Sequence, residues 1–154
     1  MLQTLGLEYH YQHGKKIVFP EIEIERGQRL LISGFSGCGK TTLLSLIAGA
    51  LKLQVGDIKF DGQDYSSMSS LLLDRLRANH IGYIFQTLNL IPFLSVSENI
   101  GLGIRFSQSR KSRVGNLNQE INRLVDSLGL DKEVLNTPVN RLSVGQQQRV
   151  AAAR

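Results

Sequence analysis

The segment from Arg29 to Ala48 constrains the fold more than any other. It runs from a short apolar core, Leu30-Leu31-Ile32, through Gly34-Phe35-Ser36-Gly37-Cys38-Gly39-Lys40-Thr41 into an apolar helical stretch, Lys40 to Ala48. An uninterrupted apolar triplet is expected of a strand buried on both faces. The loop satisfies G-x-x-x-x-G-K-[ST], and a strand before it and a helix after it are the context that gives this pattern meaning. Glycines let the backbone fold back with several N–H groups turned inward. Those donors and the positive end of the helix make a site for phosphate. Lys40 is placed to reach the outer phosphates, and the Thr41 hydroxyl to meet a Mg²⁺ ion that bridges their oxygens. Gly34, Ser36, Gly37, Cys38, Gly39, Lys40, Thr41 and Thr42 are the candidate contacts. Cys38 fills a small-residue slot; a redox role is its alternative.

The rest of the chain supplies strands first and helices later. Leu5, Leu7, Tyr9 and Tyr11 alternate with Gly6, Glu8 and His10, which predicts a half-buried strand. His13-Gly14 reads as a turn, Lys16 to Phe19 as a returning strand stopped by Pro20, and Ile22 to Glu25 as a third strand. Gly56 to Asp64 predicts a strand and turn, Leu71 to Arg77 a helix, and Ile81 to Phe85 a short apolar strand. Beyond about Ser97 the pattern becomes helical. Leu117, Ile121, Leu124, Val125 and Leu128 share one helical face, with Asn116 as N-cap and Gln119 three residues on. Val144 to Arg154 reads as the opening of a helix with no stop signal, so we read the chain as an N-terminal portion.

Composition narrows the classes. With 154 residues, 42% hydrophobic and 20% charged, the chain fits one domain with a small insertion and excludes collagen-like or wholly disordered proteins. One cysteine excludes a disulfide scaffold. The run Leu43 to Leu51 is far too short to span a bilayer. Met1-Leu2-Gln3-Thr4 opens no signal peptide, so a cytosolic setting is expected. The net charge of +5 matters less than its distribution. Between Glu98 and Glu120 there is no acid, yet Arg105, Arg110, Lys111 and Arg113 fall there. A solvated face is one reading; proximity to lipid headgroups or nucleic acid is the other.

A phosphate loop alone leaves kinases, GTPases, helicases and transport ATPases open. Two further segments divide them. Leu142-Ser143-Val144-Gly145-Gln146-Gln147-Gln148-Arg149 closely resembles the signature motif of the ATP-binding cassette (ABC) ATPases, and Ile81-Gly82-Tyr83-Ile84-Phe85-Gln86 resembles their Q-loop. With Gly34 to Thr42 ahead of both, order and spacing match that family across the chain. Phe85 to Pro92, followed by Ser95-Val96-Ser97-Glu98-Asn99, looks most like the lipoprotein-release and macrolide-exporter branch.

The resemblance implies an α/β fold: a P-loop NTPase core whose mixed sheet carries N-terminal antiparallel strands, plus an inserted α-helical signature subdomain. Residues 1–86 would be the nucleotide-binding core. Residues 87–154 would be the Q-loop, helical subdomain and signature helix. It implies ATP and Mg²⁺ as cofactors, Lys40 and Gln86 as catalytic residues, and Thr41 and Gln86 at the metal. Tyr11 sits where the family stacks an aromatic on adenine, although a core-facing strand residue is the plain alternative and Tyr9 a nearby competitor. Ser143, Gly145 and Gln146 would meet ATP held by a second subunit in a head-to-tail dimer. A transmembrane permease subunit would use the cycle from the cytoplasmic face of the cell membrane, and no nucleic acid is expected.

Two departures are visible. Val144 replaces the usual signature glycine, adding β-branched bulk near phosphate and predicting weaker closure. Phe35 stands where proline is common, with little effect expected. The family's next elements, an apolar strand ending Asp-Glu and a later histidine, have no counterpart before Arg154, so the chain stops before the Walker B strand. His10, His13 and His80 all precede the signature. The 154 residues alone are therefore expected to bind nucleotide weakly or not at all and not to hydrolyse it. The alternatives are a soluble ABC protein of translation or DNA repair, and a non-catalytic fragment lacking Walker B.

Overall fold

A computed structural model describes residues 1–12 and 14–154. The turn expected at His13 lies outside the described residues. The chain divides into two compact units, Met1–Arg77 and Ala78–Arg154.

The first unit is built on an antiparallel sheet. Strand β1 (Leu2–Tyr9) pairs along one edge with β2 (Ile17–Val18) and β3 (Ile22–Ile24), and along the other with β4 (Val55–Phe60), which pairs with β5 (Gln63–Asp64). Asp61 and Gly62, both with positive φ, close the β4–β5 hairpin, the two-residue turn that matches strand twist. Helix α1 (Lys40–Ile47) buries Thr42, Leu43 and Leu46. Leu7, Phe19, Ile58 and Tyr65 are also buried. Buried Thr4 is satisfied because its hydroxyl oxygen accepts from the Ile22 N–H at 2.9 Å.

The alternation expected of β1 does not survive intact. Leu5 pairs with Asp57 but Glu8 pairs with Val55, so β1 carries one extra residue. The extra residue is accommodated at a bulge where Gly6 has φ 57 and the facing Gly56 φ 84. The bulge turns Leu5 outward, 61% exposed, while Thr4 and Leu7 are buried. Tyr11 lies beyond the strand's end and is half exposed. A Cβ on Gly56 would collide with the backbone of Leu5 and Gly6. Gly56→Ala is expected to cost about 2–3 kcal/mol, through positive φ and backbone collision together. Thermal unfolding followed by circular dichroism measures the loss; an unchanged midpoint would show that the bulge relaxes freely.

Two expected strands are corrected. Arg29 to Ser33 and Ile81 to Phe85 form no strand pairing. Leu31 is 88% exposed and Ile84 is also exposed. A strand buried on both faces requires strands beside it and cover above and below. Among the described residues no strand pairs with either segment, so neither ladder nor burial forms. Every hydrogen-bonded strand pair there is antiparallel. The antiparallel strands expected at the N-terminus are thus in place, while the parallel members of a mixed sheet are not formed.

Helix α2 (Ser70–His80) leads into the second unit, which is helical: α3 (Val96–Arg105), α4 (Gln108–Arg113), α5 (Leu117–Ser127) and α6 (Val144–Ala153). Val96, Ile100, Ile121, Val125, Leu130, Val139, Leu142 and Val150 form its core. The caps follow from sequence. Asn116 Oδ1 accepts from the N–H groups of Asn118 and Gln119, opening α5 as expected. Ser95 and Glu98 cap each other at the start of α3. Hydrogen bonds from the Ser95 backbone and hydroxyl hold the Glu98 carboxyl below its ordinary range. The box is thus complete above the ordinary carboxylate pKa and is lost as pH falls through the lowered one.

Candidate nucleotide site

The loop from Gly34 to Gly39 turns back on itself before α1. Gly37 has φ 81 and Gly39, the N-cap, has φ 100, both in the region that excludes most side chains. Gly39 is doubly constrained: a Cβ there would lie 3.0 Å from Ile17 Cγ2 and 3.1 Å from Phe19 Cε1. Strand β2 and its continuation thereby set how deeply the start of α1 can sit.

The electrostatics of this loop favour an anion. The N-cap makes no side-chain hydrogen bond to the first turn of α1, and that turn holds no acid. Its free N–H groups and the helix dipole present positive charge outward. From Arg26 to Gly56 the chain has no Asp or Glu, but it has Arg26, Arg29, Lys40 and Lys52. The Lys40 ammonium donates to the carbonyls of Gly34 at 2.7 Å and Phe35 at 2.8 Å, and lies 3.7 Å from Cys38 Sγ. A phosphate would exchange these neutral acceptors for charged ones, which make the stronger bonds. Phe35 projects into solvent, consistent with the small effect expected of it.

Thr41 and Thr42 have separate positions. Thr41 is exposed beside the loop, whereas Thr42 is buried. The Thr42 hydroxyl lies 3.0 Å from Tyr11 Oη. The Tyr11 ring meets Tyr9 edge-on, with centroids 5.0 Å apart. The structure therefore brings Tyr11 to Thr42, and it does not bury Tyr11 as the plain strand reading required. No group of three His, Cys, Asp or Glu among the described residues can hold a metal.

In the second unit Ser143 is the N-cap of α6. Its Oγ accepts from the Gln146 N–H at 3.3 Å, and Gln146 Oε1 accepts from the Ser143 N–H at 2.9 Å. Val144 and Gly145 stand exposed on the first turn, and nothing lies near the position a Gly145 Cβ would take. Leu142, Val150 and Ala151 anchor the helix below. The expected contact residues thus line an open helix start, with Ser143 and Gln146 holding one another.

Gln86 is exposed on a turn. The turn behind it is strained: Leu88 has φ 60 and Asn89 φ 50, each costing about 1 kcal/mol or more. Arg154, at the far end of α6, donates to the Asn89 carbonyl at 2.7 Å and the Leu88 carbonyl at 3.4 Å. Burial pulls this guanidinium below its ordinary pKa. A second device holds the next stretch. Asn99, fully buried, accepts from the Ile91 N–H at 2.9 Å and donates to the carbonyls of Ile91, Leu94 and Ser95. Sequence reading passed over both residues as positioning groups. Arg154 has no local signal, and Asn99 carries only its polarity among apolar neighbours.

Comparisons with known proteins bear on this geometry. Residues 20–154 match the model of a protein family described as ABC transporter. The chain is 35% identical, over 158 aligned residues, to the macrolide export ATP-binding/permease protein MacB 2 of Aeromonas hydrophila subsp. hydrophila; the match takes in 100% of this chain and 24% of that protein. It is 38% identical over 136 residues to the uncharacterized ABC transporter ATP-binding protein YbbA of Escherichia coli (strain K12), covering 87% of this chain and 57% of the other. A dimeric post-hydrolysis structure of the ATP-binding cassette MJ0796, bound to ADP and Pi, aligns with a TM-score of 0.85 at 28% identity, covering 99% of this chain and 68% of that one. The chain thus spans between 24% and 57% of the length of these curated relatives.

Proposed function

Because this chain belongs to the ABC transporter family, we propose that it supplies the ATP-binding part of a membrane transporter that couples ATP binding and hydrolysis to export. Residues 1–86 hold the nucleotide, and residues 87–154 carry the Q-loop, helical subdomain and signature. Tyr11 stacks on adenine. The Gly34, Ser36, Gly37, Cys38 and Gly39 backbone and the Thr42 position line the phosphates. Lys40 meets the outer phosphates, and Thr41 and Gln86 meet Mg²⁺. Gln86 also orients the attacking water. Ser143, Gly145 and Gln146 contact ATP bound by a second copy or a related subunit, head to tail. Among the described residues no helix is long and apolar enough to cross a membrane. From the family we assign a transmembrane permease as partner, with this chain docked peripherally on the cytoplasmic face.

The observation that carries this reading is that Lys40 and the open start of α1 face solvent without a carboxylate between Arg26 and Gly56, while α6 presents Val144 and Gly145 outward. Each is half of a phosphate clamp and neither is complete alone. Residues 1–154 contain no counterpart of the family's Asp-Glu pair, so these residues by themselves bind nucleotide weakly and do not turn it over. Steady ATP turnover that Lys40→Ala abolishes would refute this. Light scattering tests the clamp: a saturating non-hydrolysable ATP analogue is expected to shift the chain toward a dimer. Gly145→Asp should abolish that shift by setting a carboxylate against phosphate, without changing nucleotide binding to the monomer. A dimer that persists in Gly145→Asp would rule out the head-to-tail arrangement.

A further inference from the structure

The acid-free stretch between Glu98 and Glu120 has no part in the nucleotide site, and its placement points to a second binding surface. Phe106, the C-cap of α3, is 77% exposed. Arg105 precedes it, and α4 follows with Arg110, Lys111 and Arg113 in its last turn and no buried residue. The segment is held in place: Ser107, fully buried, donates to Asn79 Oδ1 at 2.7 Å and accepts from the Arg110 N–H at 3.0 Å. Among the described residues none of these four cations enters a salt bridge. Arg105 has one carboxylate in electrostatic reach, Glu98, whose Oε2 takes both Ser95 hydrogen bonds.

We propose that Phe106, Arg105, Lys111 and Arg113, all exposed, form a contact surface for an anionic phospholipid bilayer, with Arg110 turned inward to the Ile81 carbonyl at 3.4 Å. The chemistry is that of interfacial binding: an apolar ring to enter the headgroup boundary, with exposed cations within a few residues of it to meet lipid phosphates. An aromatic ring left in water gains most where an apolar phase lies next to charge. Nucleic acid fits less well. Helix α4 has 6 residues and is about 9 Å long, offering little length to a groove. The proposal rests on the transporter reading only for the expectation that a membrane is near.

The chain has no tryptophan, so Phe106→Trp introduces a single reporter. With vesicles of mixed phosphatidylglycerol and phosphatidylcholine its emission is expected to shift to the blue, with no shift on phosphatidylcholine alone. In flotation assays Lys111→Glu with Arg113→Glu should lower binding to the anionic vesicles at least about tenfold, and added salt should weaken the wild type. Phe106→Ser should weaken binding with charge unchanged. Equal binding to both vesicle types, or an unshifted emission of the Phe106→Trp variant on anionic vesicles, would overturn the proposal. So would charge-dependent binding to duplex DNA that exceeds vesicle binding at the same salt. Binding of an ATP analogue to the charge-reversed variant is read separately, so failure of the nucleotide reading leaves the vesicle result standing.

Discussion

Lys40→Ala is expected to lower the affinity for ATP by about a hundredfold or more, read by isothermal titration calorimetry. The magnitude follows from charge-assisted hydrogen bonds worth about 1.5–3 kcal/mol each and a tenfold change per about 1.4 kcal/mol. Lys40 Nζ is the ammonium seated on the Gly34 and Phe35 carbonyls. Without it, a triphosphate keeps the backbone N–H groups and the helix dipole but loses the localised charge. Those two carbonyls lie in an exposed loop, so water satisfies them and the fold should be unaffected. Lys40→Arg should fail nearly as badly, because a planar fork does not reproduce a compact ammonium. Unchanged ATP affinity in Lys40→Ala would remove the phosphate-loop assignment altogether.

Asn99→Leu should destabilise the second unit by about 3–5 kcal/mol, although it keeps the branched outline of the side chain in a fully buried position. The amide makes four hydrogen bonds to the backbone of Ile91, Leu94 and Ser95. A leucine leaves the Ile91 N–H without its acceptor and removes three side-chain bonds, while the carbonyls keep backbone donors from Leu94, Val139 and Asn99. Unpaired buried groups cost more than a hydrogen bond contributes. Against a typical total of about 5–15 kcal/mol the loss is large. Urea unfolding measures it, and amide exchange should place the opening at residues 91–104. Asn99→Asp should be no better, since it keeps the acceptor but sets a carboxylate against three carbonyls. A leucine variant as stable as the wild type would show that water replaces the amide.

Most helices were legible because their starts are written locally. Asn116 reads as a cap ahead of apolar periodicity, and the cap forms; the Ser95–Glu98 and Ser143–Gln146 boxes carry the same kind of local signal, which sequence reading passed over as caps. The phosphate-loop motif is local in the same way: its glycines, lysine and threonine lie within a few residues of one another. Strands were less secure. Apolar runs at Leu30–Ile32 and Ile81–Phe85 announce burial, but a strand is completed by its neighbours, and none pairs with either here. The β1 pattern misled at Leu5 because one bulge reverses which residues face inward. The compact units divide between Arg77 and Ala78, ahead of the division at 86 drawn from motifs. Motifs mark chemistry, and compactness follows packing.

By itself the order of residues determined the family and the start of α5, because fixed motif spacing and capping chemistry are short-range properties. Only the folded chain decided that Gly56 faces the Leu5–Gly6 backbone, that Thr42 takes the Tyr11 hydroxyl, and that Arg154 braces the turn behind Gln86. Those contacts join residues far apart in the chain. They exist only after the bulge, the sheet register and the helix core have brought the partners within bonding distance.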